Sequence, residues 1–230
     1  MDRPSEETGG SGQCAACPAR TKAICGALAD DDLVVFGTLG RHRRLARGQT
    51  LMWEGDAAHN VANVISGVLK FATTGVSGDE QIVGLAWPAD FVGSPFGAHC
   101  GCSVTALVDS EVCLFPRAAF GTYLDGHPEM ERALVKRAFA DLDRAREFQA
   151  MLGRRSAGQK VAALLLAMAD AGDVVFLPMS RQEMADLLGL TIETVSRQLG
   201  RLAGQGLIDL PDRRSVRLRR RDALEAFAVA

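Results

Sequence analysis

Hydrophobic and polar residues follow three different patterns along this chain of 230 residues. Over residues 43–120, short β-rich runs are separated by glycines, as in VANVISGVLKFATTG, EQIVGLAW and SVTALVDSEVCLF. Many short strands at close spacing are typical of an antiparallel barrel or jelly roll. We therefore predict a β-roll domain over residues 13–127, preceded by a disordered Gly-, Ser- and Glu-rich tail over residues 1–12.

The hydrophobic period then changes to that of a helix. We predict one long helix over residues 128–152, which begins just after Pro128 and ends near Gly153. Its apolar stripe can pack on the β domain or against a second copy of the helix, and the pattern alone favours neither. The residues of this stripe, and of the predicted dimer interface, are Met130, Leu134, Ala138, Leu142, Ala145, Phe148 and Leu152.

A third pattern lies in the segment SRQEMADLLGLTIETVSRQLGRLAGQGLI. Ser180 and Glu183 have the spacing of a capping box that begins a short helix. Gly189 permits the left-handed backbone of a tight turn, and Thr191 is placed to cap a second helix. The pattern predicts a helix-turn-helix. The buried side of the second helix is predicted to hold Val195, Leu199 and Leu202.

The other side of that second helix predicts DNA binding. Arginine can bond guanine, glutamate can accept from cytosine, and an apolar side chain can meet a thymine methyl group. A basic hairpin follows in LIDLPDRRSVRLRRRDAL, which suits the phosphate backbone. We predict a winged helix-turn-helix over residues 153–230, in an α+β protein; the alternative is a solvated helix face with a Glu193–Arg197 ion pair. The predicted DNA-binding residues are Ser180, Arg181, Ile192, Glu193, Ser196, Arg197, Arg217 and Arg219.

The charge distribution agrees with a polyanionic partner at the C-terminal end. Residues 153–230 hold 12 Lys and Arg against 9 Asp and Glu, whereas the preceding residues hold 14 against 19. The overall composition, 47% hydrophobic and 23% charged, is ordinary for a globular protein. The acidic N-terminus has no apolar run, so we expect no signal peptide and no membrane span, and a cytoplasmic location.

Three cysteines lie close together in QCAACPARTKAIC, at Cys14, Cys17 and Cys25. Thiols of a cytoplasmic protein stay reduced, which disfavours a disulfide framework and favours a metal site. The residues themselves leave a zinc site and an iron–sulfur site equally open. Arg20 and Lys22, within the same loop, are expected to help hold the thiolates deprotonated.

Together these features resemble the Crp–Fnr family of bacterial transcription regulators, which join a β-roll sensor, a long dimerisation helix and a winged helix-turn-helix. The segment LGLTIETVSRQLGRL resembles the recognition region of the fumarate-and-nitrate-reduction (Fnr) branch, while GDEQIVGLAWPADFVG and ALVDSEVCLFP resemble its sensor domain. The Cys-x2-Cys-x7-Cys spacing resembles that of alphaproteobacterial members of this branch and differs from the shorter second gap of the enterobacterial form.

The resemblance implies an oxygen-labile [4Fe–4S] cluster. Its ligands would be the three clustered cysteines and Cys113 in SEVCLFP, with Cys102 as an alternative fourth ligand. Cys100 and Cys102 are otherwise expected to be ordinary residues of a loop or strand. The cluster would promote homodimerisation at low oxygen and binding to a palindrome like TTGAT-N4-ATCAA, in concert with RNA polymerase.

Two other classes fit the sequence less well. Cyclic nucleotides need a cation near the phosphate, and PADFVGSPFGAHCGCSVTALVD, residues 88–109, contains no Lys or Arg. We therefore predict no cyclic-nucleotide binding. The four histidines show no metal-ligand spacing. A cupin-like metal enzyme is disfavoured on this ground, and we predict that the protein is not an enzyme.

Overall fold

A computed structural model describes residues 6–8 (backbone only), 14–76, 78–169 and 172–229. The chain forms two compact units, and the main boundary between them falls inside one long helix, between Asp143 and Arg144; the short segment Glu80–Ile82 is grouped with the second unit. None of the described helices is long and apolar enough to cross a membrane.

The first unit is built on two antiparallel sheets. One has the strand order β1-β2-β9-β4-β7 and the other β3-β8-β5-β6. This is the β-roll that the glycine-punctuated runs predict. The strands are β1 (Glu6–Thr8), β2 (Arg41–Leu45), β3 (Thr50–Met52), β4 (Asn60–Ser66), β5 (Leu69–Thr74), β6 (Glu80–Ala86), β7 (Phe91–Val92), β8 (Ser103–Ala106) and β9 (Ser110–Pro116).

Strand β1 lies where the sequence predicts a disordered tail. It pairs with β2 in an antiparallel register that places Glu7 opposite His42. A segment that pairs with the edge of a sheet gains backbone hydrogen bonds, and amino-acid composition does not predict this pairing. The remainder of the predicted tail, residues 1–5 and 9–12, lies outside the described residues.

Helical segments cover one end of the roll. The cysteine-rich loop leads through a 3₁₀ turn, Ile24–Ala27, into α1 (Asp30–Leu39), and the chain leaves β9 through α2 (Arg117–Asp125). The long helix α3 (Pro128–Arg154) follows directly. It begins at the predicted residue and continues past Gly153 to Arg154.

The roll unit contains two main apolar clusters. One fills the space between the sheets with small and medium side chains, among them Leu45, Leu69, Val104 and Val112. The other is rich in aromatic rings and joins α1, α2 and the start of α3 to β4 and β9. We call this second cluster the aromatic core; it consists of Ile24, Leu28, Leu33, Phe36, Val61, Phe115, Phe120, Tyr123, Leu124, Met130 and Leu134.

The second unit is a helical domain with a small sheet. Its helices are α4 (Ala157–Met168), α5 (Arg181–Leu188), α6 (Ile192–Gly204) and α7 (Arg221–Val229). The sheet has the order β10-β12-β11, with β10 (Val174–Phe176), β11 (Ile208–Asp209) and β12 (Ser215–Leu218). The hairpin β11-β12 was predicted from the basic segment, whereas β10 was not.

The aromatic core makes a stability prediction. Phe36 is fully buried and stacks on Phe115 with ring centroids 4.4 Å apart. Phe36→Ala should lower the free energy of unfolding by about 3–5 kcal/mol, because it removes a large buried ring and leaves a cavity. Denaturant titration followed by circular dichroism measures this. Phe96→Ala is the matched control, since that ring is 77% exposed; equal effects of the two changes would contradict the assignment.

Candidate functional site

The cysteine-rich loop is folded by its own backbone hydrogen bonds. The amide of Arg20 donates to the carbonyl of Cys17 at 3.1 Å, and that of Ala23 donates to Ala19 at 2.9 Å. Ala19 and Ala23 are buried against Ala89, and Cys17 and Cys25 pack beside them. Small residues at these positions therefore let the loop lie closely on the roll.

The structure brings four thiols to the lining of one cavity that opens to solvent. Three of them, Cys14, Cys17 and Cys25, come from the loop, and Cys113 comes from β9. The remaining wall is mostly apolar, with three polar side chains. The other lining residues are Ala19, Arg20, Ala23, Leu33, Phe36, His42, Asn63, Ile65 and Phe115.

Cys113 sits in the middle of its sheet. On one side its cross-strand partner is His42 on β2, and on the other side it is Asn63 on β4. Directly opposed residues of antiparallel strands point to the same face, so all three line the cavity. His42 Nδ1 lies 3.0 Å from Glu111 Oε1, and a carboxylate can only accept, so Nδ1 carries the proton.

Two glycines of the adjoining segment make room for the sulfurs. A methyl group at Gly37 would lie 2.8 Å from Cys14 Sγ, and one at Gly40 would lie 2.9 Å from Cys113 Sγ. Side chains essentially never approach so closely, so a larger residue at Gly37 would displace the Cys14 thiol, and one at Gly40 would displace both the Cys113 thiol and the Phe115 ring, which is nearer still at 2.6 Å. Sequence reasoning missed both glycines because neither marks a turn.

The thiols affect one another electrostatically. Burial raises the pKa of Cys25 to about 11, and negative charge on Cys17 and Cys14 adds to this effect. Burial also raises the pKa of Cys113, with further contributions from Cys14, Cys25 and Cys17. Four thiolates held together in this cavity therefore require a compensating cation.

The basic residues of the loop do not provide that compensation. Arg20 acts in the expected direction on the pKa of Cys14, but burial and Cys17 outweigh it, so that pKa is raised. Arg20 also pairs with Asp30. Lys22 is exposed, and it is not among the causes that shift these thiols. The expectation that Arg20 and Lys22 hold the thiolates deprotonated is therefore wrong for the protein without a bound metal.

The other two cysteines lie elsewhere. Cys100 packs beside the cluster between the two sheets, and neither Cys100 nor Cys102 lines the cavity. Burial raises the pKa of Cys102, followed by the charges of Cys100 and Glu54, so its charged neighbours differ from those of the four thiols. The structure thus places Cys113, rather than Cys102, opposite the loop.

The long helix α3 uses its apolar residues in two ways. Met130 and Leu134 belong to the aromatic core of their own chain, and Arg137 pairs with the buried Asp90 of the roll. The prediction that Met130 and Leu134 lie in a dimer interface is therefore wrong. The helical period predicts which residues share one face of α3. It does not predict that the two ends of this face pack against different partners.

A second apolar stripe on α3 is exposed. It is centred on Val135, Phe139 and Leu142, which are 49%, 62% and 41% exposed, at i, i+4 and i+7 spacing. Of the remaining predicted interface residues, Ala138 and Ala145 are exposed, whereas Phe148 and Leu152 are partly buried. Sequence reasoning missed Val135 and Phe139, which lie about 100–180° around the helix from the buried Met130 and Leu134.

Local hydrogen bonds fold the helix-turn-helix as predicted. The Ser180 hydroxyl accepts from the Glu183 amide at 3.2 Å, and the Glu183 carboxylate accepts from the Ser180 amide at 2.6 Å. Gly189 ends α5 with a left-handed backbone, φ 62°. Thr191 then caps α6 by accepting from the Thr194 amide at 3.2 Å.

The outer side of α6 presents polar groups at its N-terminus. Ile192, Glu193 and Arg197 are exposed and Ser196 is partly so, whereas the three predicted apolar residues are buried. Arg197 donates to the hydroxyl of Thr194 at 3.2 Å, and among the residues described in this helix no ion pair joins it to Glu193. Hydrogen bonds from its own amide and from Thr191 lower the pKa of Glu193, which keeps it ionised.

The basic hairpin divides its arginines between contacts within the protein and open surface. Arg219 pairs with Asp209 at 3.2 Å, and Arg220 donates to the carbonyl of Gln205 at 2.8 Å. Arg217 is exposed between the buried Val216 and Leu218 of β12. In α5, Ser180 and Arg181 are partly exposed at the helix start. Arg217 is therefore better placed than Arg219 to reach a phosphate.

A β-roll followed by a long helix and a winged helix-turn-helix defines a class of transcription regulators, and comparisons identify the family. Residues 42–127 match the family described as cyclic nucleotide-binding domain, and residues 159–227 match the Crp-like helix-turn-helix domain. A probable transcriptional activator of Rhizobium leguminosarum bv. viciae is 39% identical, covering 97% of this chain and 96% of its own.

Other relatives agree. The transcriptional activator protein FnrL of Cereibacter sphaeroides is 38% identical, over 89% of this chain and 87% of its own. The structure of FixK2 from Bradyrhizobium japonicum has a TM-score of 0.77 and 30% identity, and covers 83% of this chain and 98% of that one. The chain belongs to the Crp–Fnr family. It is a DNA-binding transcription regulator and not an enzyme.

The geometry of α6 predicts how DNA sequence is distinguished. Arg197→Ala should cost about 1–3 kcal/mol of binding free energy on TTGAT-N4-ATCAA and relax selectivity at the G·C pair, because that arginine would take guanine. Binding titrations on half-site variants measure this. Arg201→Ala, an exposed arginine in the last turn of α6, is the control and should have little effect. Equal weakening of every half-site by Arg197→Ala would contradict the assignment.

Arg217 should behave differently because it would contact phosphate. Arg217→Ala should weaken binding to all sequences alike and reduce the slope of log affinity against log salt by about one. Titrations at several salt concentrations on matched and mismatched DNA give both quantities. A loss of selectivity without a change in the salt slope would show that Arg217 contacts a base instead.

Proposed function

We propose that this protein is an oxygen-responsive transcription regulator that holds a [4Fe–4S] cluster on Cys14, Cys17, Cys25 and Cys113. The observation that carries this proposal is that these four thiols line one cavity, although Cys113 is 88 residues from its nearest partner in the chain. The name of the relative FnrL supports the same branch of the family.

The residues around the thiols fit such a cluster. Cysteine thiolates are the ordinary ligands of a four-iron cluster, and its iron would supply the cation that the buried thiolates require. Gly37 and Gly40 let two of the sulfurs lie close to the backbone, and the buried side chains of Leu33, Phe36 and Phe115 form an apolar wall beside the thiols. When bound, the cluster would supply sensitivity to oxidation by molecular oxygen.

The spacing of the thiols favours a cluster over the alternative of a single zinc ion. Four thiolates on one zinc ion at about 2.3 Å would lie about 3.8 Å from each other. Among the described residues, the only three ligand groups that all lie within 4.8 Å of one another are Asp32, His127 and Glu129. No three of the cysteine sulfurs are that close, so the thiols as placed do not have the spacing of a four-thiolate zinc site.

The aromatic core offers a physical route from the cavity to the dimer helix. Cys14, Cys25 and Cys113 pack against the same cluster of side chains that contains Met130 and Leu134. A change in the position of the loop would therefore alter the packing of the first turns of α3. In our proposal the cluster-bound loop holds α3 in the orientation that pairs with a second copy.

The exposed stripe of α3 is the proposed dimer contact. Val135, Phe139 and Leu142 would meet their counterparts on a second chain, together with Ala138 and Ala145 and the more distal Phe148 and Leu152. A two-fold dimer presents two recognition helices about one DNA turn apart, which matches a palindrome such as TTGAT-N4-ATCAA. Low oxygen would favour this dimer, and loss of the cluster would disfavour it.

The regulator is proposed to activate transcription, as the names of its relatives suggest. RNA polymerase would then be its partner at the promoter. We do not propose a cyclic nucleotide as its ligand, although the roll matches the cyclic nucleotide-binding family. Residues 88–109 contain no Lys or Arg, and the space between the sheets is filled by apolar side chains such as Met52, Val92 and Val104. A buried phosphate there would lack a charge partner from this segment.

The ligand set is tested by cysteine replacement. Any one of Cys14→Ser, Cys17→Ser, Cys25→Ser or Cys113→Ser should abolish the broad visible absorption of the anaerobic protein, and iron and sulfide assays should fall in parallel. Cys100→Ser is the control and should keep both, because Cys100 lies outside the cavity. A colourless wild-type protein that contains stoichiometric zinc would overturn the cluster.

The dimer contact is tested by charge substitution. Phe139→Glu or Leu142→Glu should leave a folded monomer, because a charge would be buried across the pairing face. Phe96→Glu places the same charge at an exposed ring of the roll and should leave the dimer intact. Sedimentation of the anaerobic protein distinguishes these outcomes, and a dimer in all three variants would place the interface elsewhere.

A further inference from the structure

One buried amide in the cysteine cavity has no hydrogen-bond partner within the protein. Asn63 is only 3% exposed, yet both its Nδ2 and its Oδ1 are unpaired. Buried polar groups in native proteins are almost always paired, because an unmade hydrogen bond is costly. An apolar residue at this position would avoid that cost. Packing alone therefore does not account for an asparagine here.

The position of Asn63 supplies that explanation. It lies on β4 directly opposite Cys113, and both side chains line the cavity. On the far side of Cys113, His42 is engaged by Glu111. The rest of the wall is formed by apolar groups such as Ile65 and Phe115, by Arg20, which can only donate hydrogen bonds, and by the thiols themselves. The most favourable acceptor for an amide N–H in this place is therefore an anionic sulfur.

We propose that Asn63 is a positioning residue for the bound cluster, and that its Nδ2 group donates a hydrogen bond to the Cys113 thiolate or to a sulfide of the cluster. The inference rests on the proposed function. Hydrogen bonds to sulfur are one of the means by which a protein adjusts an iron–sulfur centre. Here the bond stabilises the bound cluster against loss of iron.

Two substitutions test whether Asn63 donates this hydrogen bond. Asn63→Leu keeps the branching at Cγ and removes all hydrogen bonding, while Asn63→Asp keeps the shape, removes the donor and adds a negative charge beside the thiolates. Asn60→Leu, on the same strand but opposite Pro116 and outside the cavity, is the matched control. The full-length anaerobic protein with its cluster is mixed with a ferrous-iron chelator, and the decay of the visible absorption is followed.

Both Asn63 variants should lose absorption several-fold faster than the wild type, and Asn60→Leu should match the wild type. Thermal unfolding of the cluster-free proteins is the second measurement. Since Asn63 has no partner within the protein, Asn63→Leu should not lower the unfolding temperature. A lower unfolding temperature together with faster decay would assign Asn63 a merely structural role and overturn the inference.

The remaining outcomes separate this inference from the proposed function. If the wild type carries a cluster and the visible absorption of Asn63→Leu decays at the same rate, the proposed hydrogen bond is contradicted, whereas the proposed cluster is not. If only Asn63→Asp decays faster, the added negative charge is what destabilises the cluster. That result would also contradict the proposed role of Asn63 as a hydrogen-bond donor. A wild type without any cluster would overturn both.

Discussion

The contact between Phe36 and Phe115 is the constraint on which the sensor unit depends. Phe36 belongs to α1, directly after the cysteine loop, and Phe115 belongs to β9, two residues after Cys113. Their rings stack at 4.4 Å, and Tyr123 of α2 approaches Phe36 at 5.1 Å. Because cores are closely packed, the loop, the strand and the helices cannot shift independently. The four thiols are brought together by this packing rather than by the loop alone.

The same packing gives the proposed switch a physical basis. Met130 and Leu134 anchor α3 in the aromatic core, while Phe139 and Leu142 point away from it. One helix thus carries a face that packs in the aromatic core and an exposed face that, in our proposal, meets a second chain. Coupling between a cluster and a dimer needs such an element with two orientations, and its strength is a coupling free energy between the two events.

The DNA-binding unit is organised on a different principle. Its capping box, its left-handed glycine and the cap of α6 close hydrogen bonds within three residues of the chain. The shape of α6 is consequently set locally, and Glu193 and Arg197 are exposed at its start. If dimerisation controls DNA binding, as we propose, the DNA-binding unit itself does not need to change shape. Only a dimer holds two such units at the spacing of two half-sites.

Local chemistry explains what the sequence by itself determined. The turn at Gly189, the caps at Ser180 and Thr191, and the period of α3 depend on residues a few positions apart, so the helix-turn-helix and the long helix were predictable. Tertiary structure alone decided which face of α3 is buried, because a 3.6-residue period defines stripes but not their partners. It also decided that Asn63 lies beside Cys113, 50 positions away, since strand register over such separations depends on the whole sheet.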